Sequence, residues 1–386
     1  MPNGWPQTRR LGAPGPSDLS FETGRLASSG LADAHSLMAD VKLSCRNVWK
    51  VYGNRPDTFF NAPIADPKSH AETIRESDHI VAAADVSFDV HTGEIFVIMG
   101  LSGSGKSTMV RCLSRLVEPT YGEILLDGEN LLDVSLADLI EYRRHKMGMV
   151  FQNFGLMPHL NVIDNVAFPL ELQGLPLKER HKAAQEVIDL VGLGGREASF
   201  PRQRSGGQQQ RVGIARSLAV KPELWFLDEP FSALDPLIRR QMQDEFLRLQ
   251  RELHKSIVFI THDFLEALRI ADRMAIMRDG EIVQIGRPVD LILNPADDYV
   301  REFTNDVPWE MVLTAGDIAD ASKSFAEGMG RIASDATVAA LLPYLSDHAA
   351  GVMVHDAEGR DMGVLDAQSV ISALASGVDD PAKVET

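Results

Sequence analysis

Short apolar stretches alternate with helical patterns along most of the chain from residue 94 onward. The apolar stretches are "EIFVIMG", "MGMVFQ", "ELWFLDEP" and "SIVFITHD". Each is long enough for one buried strand, and the segments between them are long enough for helices. This rhythm is typical of a parallel sheet covered by helices. The pattern therefore predicts an α/β core.

One helix can be placed residue by residue. Asp235 can cap its first turn, and Pro236 suits the first helical position. The apolar positions that follow at helical spacing are Ile238, Met242, Phe246, Leu249 and Leu253. Such a stripe predicts a helix that packs against the core.

The ends of the chain differ from its centre. Residues 1–40 are rich in Pro, Gly and Ser and lack the apolar run of a signal peptide, so we expect a disordered leader. The first patterned strand, 41–53, begins just after Met38, and a start codon chosen too far upstream would explain the leader equally well. The polar segment 54–80 interrupts strands of antiparallel pattern and predicts an insertion. Residues 306–386 contain 14 acidic and 4 basic residues, which indicates a separate module.

Composition narrows the classes of protein. The 386 residues carry a net charge of −17, and 44% are hydrophobic, enough for a full core in two domains or in one with an appendage. The acidity argues against nucleic acid as a main partner.

Cys45 and Cys112 stand far apart without a metal-binding pattern, which favours inert thiols in a reducing compartment. No apolar run reaches the length of a membrane helix.

The segment "GLSGSGKS", 100–107, fits the phosphate-loop pattern G-x-x-x-x-G-K-[ST] between a predicted strand and a predicted helix. Its glycines let the backbone curl so that N–H groups face phosphates, Lys106 adds a cation, and the Ser107 hydroxyl can reach Mg²⁺. The expected nucleotide contacts are Gly100, Ser102, Gly103, Ser104, Gly105, Lys106, Ser107 and Thr108. The alternative for the pattern is a merely tight turn.

Two further strands end in polar residues that suit nucleotide chemistry. In "LWFLDEP", Asp228 would hold Mg²⁺ through water and Glu229 would polarise the attacking water. In "VFITHD", His262 could hydrogen-bond the γ-phosphate or that water. The alternatives are a helix cap for the carboxylates and a structural role for the histidine.

Two further residues could contribute to a nucleotide site. Gln152 in "MVFQNFGLMPHL" follows a strand and could contact Mg²⁺ or water through its amide. Tyr52 in "VWKVYG" could stack on an adenine ring, although core packing is the more common role of such an aromatic residue.

The segment "RSGGQQQR", 204–211, predicts a second anion site. Ser205, Gly206 and Gly207 leave backbone N–H groups bare where Gln208 and its neighbours begin a helix. The chain already has one phosphate loop at 100–107. The second helix start, with its free N–H groups, therefore has no nucleotide phosphate of the same chain to bind.

Together these motifs resemble the ATP-binding subunit of ABC transporters over about residues 41–290. The motifs in family order are Tyr52, Walker A (100–107), the Q-loop Gln152, the signature (204–208), Walker B with Asp228 and Glu229, the D-loop (232–235) and the switch His262. The resemblance implies a P-loop ABC cassette with a parallel-sheet core, an antiparallel β subdomain and a helical subdomain. It also implies an ATPase that uses ATP and Mg²⁺.

The resemblance assigns roles to the individual residues. It implies Glu229 as general base, with Lys106, Gln152 and His262 as further catalytic residues, and Ser107, Gln152 and Asp228 as metal ligands. It also implies that the signature caps the γ-phosphate of a second copy in a head-to-tail dimer. The residues that would act across this dimer are Ser205, Gly206, Gly207, Gln208 and Asp235. The signature begins with Arg204 instead of the usual Leu, and this arginine lies either on a solvated face or near the nucleotide.

Within the family, the segments 95–128, 231–250 and 294–303 and the insertion resemble subunits that energise import of glycine betaine and proline, or of choline. This implies a subunit at the cytoplasmic face of a bacterial inner membrane, with permease subunits and, indirectly, an extracytoplasmic binding protein as partners. The alternatives are an ATPase of another importer (for amino acids such as methionine, or for polyamines), a soluble ABC ATPase, or a binding module that works as a switch.

The segment 331–374 resembles a single CBS copy, expected as an Asp-led helix, a strand "GVMVHD", a turn, a strand "MGVLD" and a closing helix. We expect a CBS-like module of small α+β type at 331–375, a linker at 291–330 and a flexible tail at 376–386. Since such copies normally pair, the resemblance implies pairing between subunits. A response to adenine nucleotide or ionic strength and a plain dimer brace remain alternatives.

Overall fold

The structure is a computed structural model that describes residues 40–152, 154–232, 234–304, 307, 312–323, 329–348 and 350–375. Except for residue 40, the expected leader lies outside the described residues, as does the expected tail.

Strands and helices alternate through the described chain as the apolar pattern predicts. The strands are β1 (Val41–Tyr52), β2 (Ile80–His91), β3 (Ile95–Met99), β4 (Tyr121–Leu126), β5 (Glu129–Asn130), β6 (Met147–Val150), β7 (Leu224–Asp228), β8 (Ser256–Thr261), β9 (Arg273–Arg278), β10 (Glu281–Gly286), β11 (Gly330–Ala333), β12 (Val352–His355) and β13 (Asp361–Leu365). The helices are α1 (Pro67–Glu76), α2 (Lys106–Leu113), α3 (Leu136–His145), α4 (Val162–Leu172), α5 (Leu177–Leu190), α6 (Gly206–Ala219), α7 (Pro236–Leu253), α8 (Phe264–Ile270), α9 (Pro288–Leu293), α10 (Asp298–Thr304), α11 (Ala315–Ile318), α12 (Val338–Asp347) and α13 (Ala367–Ala375).

The central sheet has the strand order β10-β9-β3-β8-β7-β6, and all its neighbouring pairs are parallel except β9 with β10. Every residue of β3, β7 and β8 is buried, which matches their continuous apolar sequences. Parallel strands end at one edge of a sheet, so the residues that follow β3, β6, β7 and β8 lie close together. This confirms the predicted α/β core.

A smaller antiparallel sheet, with the order β2-β1-β4-β5, lies beside the central sheet. The predicted insertion connects β1 to β2 and contains α1 and a 3₁₀ helix at Pro56–Phe60. Ala71 and Ile74 of α1 are buried against Trp49 and Val51 of β1, so the insertion has a small core of its own. The insertion is therefore partly helical.

Helix α7 begins where the sequence predicts. Asp235 accepts a hydrogen bond from the Ile238 N–H over 3.1 Å, and Pro236 occupies the first turn. Met242, Phe246 and Leu249 of the predicted stripe are buried in the main core, and its two end residues are partly buried.

The C-terminal strands form a three-stranded sheet with the order β11-β12-β13. Its own core includes Leu313, Val338, Leu341, Val352 and Leu365. Helix α12 is capped by Thr337, which accepts a hydrogen bond from the Ala340 N–H over 3.4 Å. The expected Asp-led start is therefore replaced by a threonine cap, because the helix begins three residues after Asp335.

Residues 291–330, expected as a linker, contain packed helices. Leu291, Ile292 and Val300 are buried in the main core, while Val289 and Leu293 of α9 pack against the C-terminal core. Helix α9 therefore carries apolar residues for both cores. The apolar spacing within these short helices determines the packing.

Both cysteines are buried and free. Burial raises the pKa of Cys112 to about 12 and that of Cys45 well above its usual value, so both thiols stay protonated. Within the described ranges, no helix combines the length and the apolar character needed to cross a bilayer.

Candidate nucleotide site

A cavity of 770 Å³ opens at the edge of the central sheet where β3, β6, β7 and β8 end. Its lining residues are Tyr52, Ile80, Val81, Ala82, Leu101, Ser102, Gly103, Gly105, Lys106, Ser107, Thr108, Gln152, Glu229 and His262. The fold thus brings together residues from five predicted motifs that lie up to about 200 positions apart.

The predicted phosphate loop connects β3 to α2, and its glycines are needed where they stand. Gly105 has a φ of +101°, and a Cβ there would lie 2.1 Å from the carbonyl oxygen of Ala82. A Cβ at Gly100 would lie 2.2 Å from the carbonyl oxygen of Met277. Both positions exclude larger residues, so the loop can hold its curl only with glycine.

Lys106 lies at the floor of the cavity and is 5% exposed. Its Nζ donates hydrogen bonds to the carbonyl oxygens of Gly100 and Leu101 over 2.8 and 2.9 Å. Burial lowers the pKa of Lys106, while the charges of Glu229 and Asp228 oppose that change. A buried ammonium whose nearest partners are neutral carbonyls is well placed to attract an anion.

Ser107 and Asp228 form an oxygen pair beside the loop. The Ser107 Oγ donates to Asp228 Oδ1 over 2.9 Å, and Arg111 Nη2 lies 3.8 Å from the other carboxylate oxygen. Burial raises the pKa of the Asp228 carboxyl, while the hydrogen bond from Ser107 and the Arg111 charge act in the opposite direction. A buried carboxylate next to a hydroxyl is the kind of oxygen set that a small divalent cation prefers.

Two side chains converge on one oxygen of Glu229. Gln152 Nε2 donates to Glu229 Oε2 over 3.1 Å, and His262 Nδ1 lies 3.3 Å from the same oxygen. Glu229 itself has a φ of +45°, and its N–H donates to the Ile260 carbonyl over 3.1 Å. A left-handed backbone at a non-glycine residue is costly and recurs at functional sites. Here it turns the carboxylate out of the strand line and into the cavity.

Tyr52 forms one wall of the cavity together with Ile80. The two residues pair across β1 and β2 at the base of the insertion, and they are 41% and 69% exposed. Lys50 Nζ lies 4.8 Å from the centre of the Tyr52 ring. An exposed ring beside an exposed aliphatic side chain offers a flat apolar surface for a planar group.

The signature segment lies elsewhere. Ser205 and Gln208 form a reciprocal cap at the start of α6, with both hydrogen bonds at 3.4 Å. Ser205, Gly207 and Gln208 line a separate cavity of 270 Å³, and residues 205–208 do not line the nucleotide cavity described above. Asp235 caps α7 and likewise stays outside the nucleotide cavity.

The sequence left two alternatives for Arg204, a solvated face or a place near the nucleotide, and the structure matches neither fully. Its side chain is partly buried, and its Nε is buried with no hydrogen-bond partner among the described residues. Its carbonyl accepts a hydrogen bond from Gln209 Nε2 over 3.1 Å. Arg204 therefore does not lie on a fully solvated face.

Sequence reasoning missed part of the lining. Ile80, Val81 and Ala82 enter the cavity because β2 pairs with β1 across the insertion, and this register leaves no local signal in the sequence. Arg111 was accessible to sequence reasoning, because it follows Ser107 by one helical turn and therefore shares its face of α2.

Comparisons with known proteins identify the family of this chain. The family model for the ABC transporter matches residues 83–232. The trimethylamine N-oxide transport system ATP-binding protein TmoW of Ruegeria pomeroyi is 53% identical over 87% of this chain and 98% of its own length. The glycine betaine/proline betaine transport system ATP-binding protein ProV of Escherichia coli is 49% identical over 72% of this chain and 70% of its own length.

Solved structures give the same result. The dimeric post-hydrolysis structure of the ATP-binding cassette MJ0796 bound to ADP and Pi matches with a TM-score of 0.53 and 34% identity, over 64% of this chain and 98% of that one. The chain therefore belongs to the ABC transporter family. Within this family it is an ATP-binding cassette, an ABC-type ATPase.

Proposed function

We propose that this chain is the ATP-hydrolysing subunit of an ABC importer for osmolytes with a fully substituted, cationic nitrogen. Trimethylamine N-oxide, glycine betaine, proline betaine and choline share this chemistry. The observation that carries the proposal is the similarity to TmoW, which extends over 98% of that protein at 53% identity. Similarity to ProV, at 49% identity, supports the same class of substrate.

The cavity suggests a role for each lining group. Tyr52 stacks on the adenine, while the loop N–H groups and Lys106 hold the phosphates. Glu229 acts as general base for the attacking water, because its carboxylate faces the cavity and is oriented by Gln152 and His262. The phosphate charge that develops during hydrolysis is stabilised by Lys106, which is already placed in a water-poor position.

Ser107 and Asp228 would hold Mg²⁺, with Gln152, which follows the neighbouring strand β6, as a further candidate ligand. No group of three or more His, Cys, Asp or Glu side chains among the described residues could hold the metal alone, so the phosphates would complete its shell. Bound there, Mg²⁺ would neutralise phosphate charge.

The signature acts on a second copy of the chain. Ser205 and Gly206 are exposed at the start of α6, whose N–H groups favour an anion, and they do not line their own subunit's nucleotide cavity. A head-to-tail dimer would bring this helix start to the partner's γ-phosphate and Asp235 to the dimer seam. The MJ0796 cassette, which is dimeric in its solved structure, supports the formation of a dimer by this chain.

The remaining partners follow from the importer role. We infer permease subunits that hold the chain at the cytoplasmic face of a bacterial membrane, an extracytoplasmic binding protein that delivers the substrate, and no nucleic acid. The cassette would span 41–290, and the three-stranded unit near 331–375 would be a CBS-like module that pairs between subunits. Residues 291–330 would connect the two through packed helices.

Among these substrates, we place trimethylamine N-oxide first. The match to ProV leaves 30% of ProV uncovered, whereas the match to TmoW includes nearly the whole of that protein. The test is ATPase activity in nanodiscs that contain the cognate permease and the loaded binding protein. The compounds to compare are trimethylamine N-oxide, glycine betaine, proline betaine, proline and choline, with a polyamine and methionine as controls.

Stimulation by one or more of the compounds with a fully substituted, cationic nitrogen supports the proposal and identifies the substrate. Stimulation only by the polyamine or by methionine assigns the chain to another importer. The importer role is contradicted if no compound stimulates the ATPase activity and the chain does not bind the permease.

A further inference from the structure

Tyr299 of α10 contacts the phosphate loop but does not line the cavity. The N–H of Leu101, the second residue of the loop, donates to Tyr299 Oη over 3.4 Å. The Tyr299 hydroxyl in turn donates to the carbonyl oxygen of Met277 in β9 over 3.2 Å. One phenol thus connects the loop after β3 to the neighbouring strand.

The Tyr299 ring is held in place by its neighbours. The Arg278 guanidinium lies 4.9 Å from the ring centre and forms an ion pair with Asp297 over 3.0 Å. Phe303 packs edge-on against the ring at 5.1 Å between centres. Burial raises the pKa of Tyr299, so the hydroxyl keeps its proton and can donate to Met277 at neutral pH.

The same stretch of loop is held from inside the cavity by Lys106. Its Nζ donates to the carbonyl oxygen of Leu101, while Tyr299 accepts from the N–H of that residue. The Met277 carbonyl that binds Tyr299 also lies against Gly100, where a Cβ would approach within 2.2 Å. When Lys106 turns toward a phosphate, the contact with Tyr299 remains to hold the first turn of the loop.

We propose that Tyr299 is a positioning residue for the nucleotide site and acts through the Leu101 peptide. The inference rests on the proposed ATP-binding role of the cavity. Tyr299 does not line that cavity, so it shapes the loop without contacting the nucleotide. Because Tyr299 fixes Leu101 before the nucleotide binds, the loop loses less conformational entropy on binding.

This role predicts a particular kinetic pattern for Tyr299→Phe, which keeps the ring and its contacts with Arg278 and Phe303. The KM for ATP should rise about three- to tenfold, the usual effect of one lost hydrogen bond. The kcat should stay within about twofold, because substrate and transition state lose the same loop order. Hydrogen exchange at the Leu101 amide should become faster in the nucleotide-free variant.

Tyr142→Phe is the matched control. It removes a tyrosine hydroxyl that donates to Glu129 on the surface, away from the nucleotide cavity. This variant should leave the KM for ATP and the exchange of the Leu101 amide unchanged.

A Tyr299→Phe variant with a lower Tm but an unchanged KM would overturn the proposal, since Tyr299 would then only attach α10 to the sheet. An unchanged exchange rate at Leu101 would overturn it as well. If the wild-type chain itself binds no ATP, the proposed function fails, and the positioning role fails with it. If the wild type binds ATP and the variant has the same KM, only the positioning role of Tyr299 fails, and the proposed function stands.

Discussion

Gln152 donates a hydrogen bond of 3.1 Å to the carboxylate of Glu229, although 77 positions separate the two residues in the chain. Gln152 is the second residue after β6, whereas Glu229 directly follows β7. The two strands are neighbours in the parallel sheet, which brings their ends together. Movement of the loop after β6 therefore moves a direct partner of the proposed general base.

We predict that Gln152→Ala lowers kcat for ATP hydrolysis about ten- to hundredfold, because Glu229 loses one of its two orienting contacts. The KM for ATP should change little, since the hydrogen bond that is lost goes to Glu229 and not to the phosphate loop. Steady-state kinetics check this. Gln173→Ala, which removes an amide hydrogen bond to the Arg144 carbonyl, is the control and should match wild type. Equal kinetics for both variants would refute the role of Gln152.

The pair of Ser107 and Asp228 predicts a metal dependence. Ser107→Ala should raise the Mg²⁺ concentration for half-maximal ATPase activity at least about tenfold, because one oxygen ligand is lost. ADP binding without Mg²⁺ should stay near wild type. Ser114→Ala, at the end of the same helix, removes a hydroxyl that binds the Val110 carbonyl and serves as control. A normal Mg²⁺ requirement in Ser107→Ala would rule out this metal site.

Asp228→Asn should show a pH-dependent gain in stability in the nucleotide-free protein. Burial raises the pKa of the Asp228 carboxyl, so folding favours its protonated form. The contribution of Asp228 to the free energy of unfolding is fully present below the usual aspartate pKa. It is lost as the pH rises through the raised pKa of the folded state. Asparagine does not ionise, so the Tm of the variant relative to wild type should increase as the pH rises above the usual aspartate pKa of about 4.

The control for this comparison is Asp298→Asn, at a side chain that is 95% exposed. Thermal unfolding of the three proteins without nucleotide or Mg²⁺ gives the answer. A difference in Tm between Asp228→Asn and wild type that stays constant as the pH rises above about 4 would contradict the effect of burial on Asp228.

The separation of Lys106 from Ser205 and Gly206 predicts complementation between subunits. Lys106→Ala removes the phosphate contact, and Gly206→Glu puts a negative charge at the start of α6. Each variant alone should be nearly inactive. A mixture should regain activity, because a mixed dimer contains one site with both halves intact. If both motifs served the same subunit's nucleotide, mixing would restore nothing.

Local sequence was sufficient for the residues whose chemistry depends on a strand end or a helix start. Gly105, Lys106 and Glu229 could be placed because parallel strands end at one edge and a phosphate loop needs glycine at fixed positions. The cap of α7 by Asp235 was equally local.

Contacts between distant segments were not accessible in this way. Ile80 depends on the register of two strands across a long insertion, and Tyr299 reaches Leu101 from almost 200 positions away. The packing of α9 against two cores was missed as well, because a short helix with apolar residues on two faces resembles a connecting segment in composition.

The most direct test of the proposed ATP-dependent dimer is the association state of Glu229→Gln with and without ATP, measured by light scattering during gel filtration. Loss of the general base should lower hydrolysis about a hundredfold or more while ATP still binds. We predict a monomer without nucleotide and a stable dimer with two bound ATP molecules. Lys106→Ala should stay monomeric under the same conditions. A Glu229→Gln protein that binds ATP and remains monomeric, or that hydrolyses ATP like wild type, would contradict the central claim.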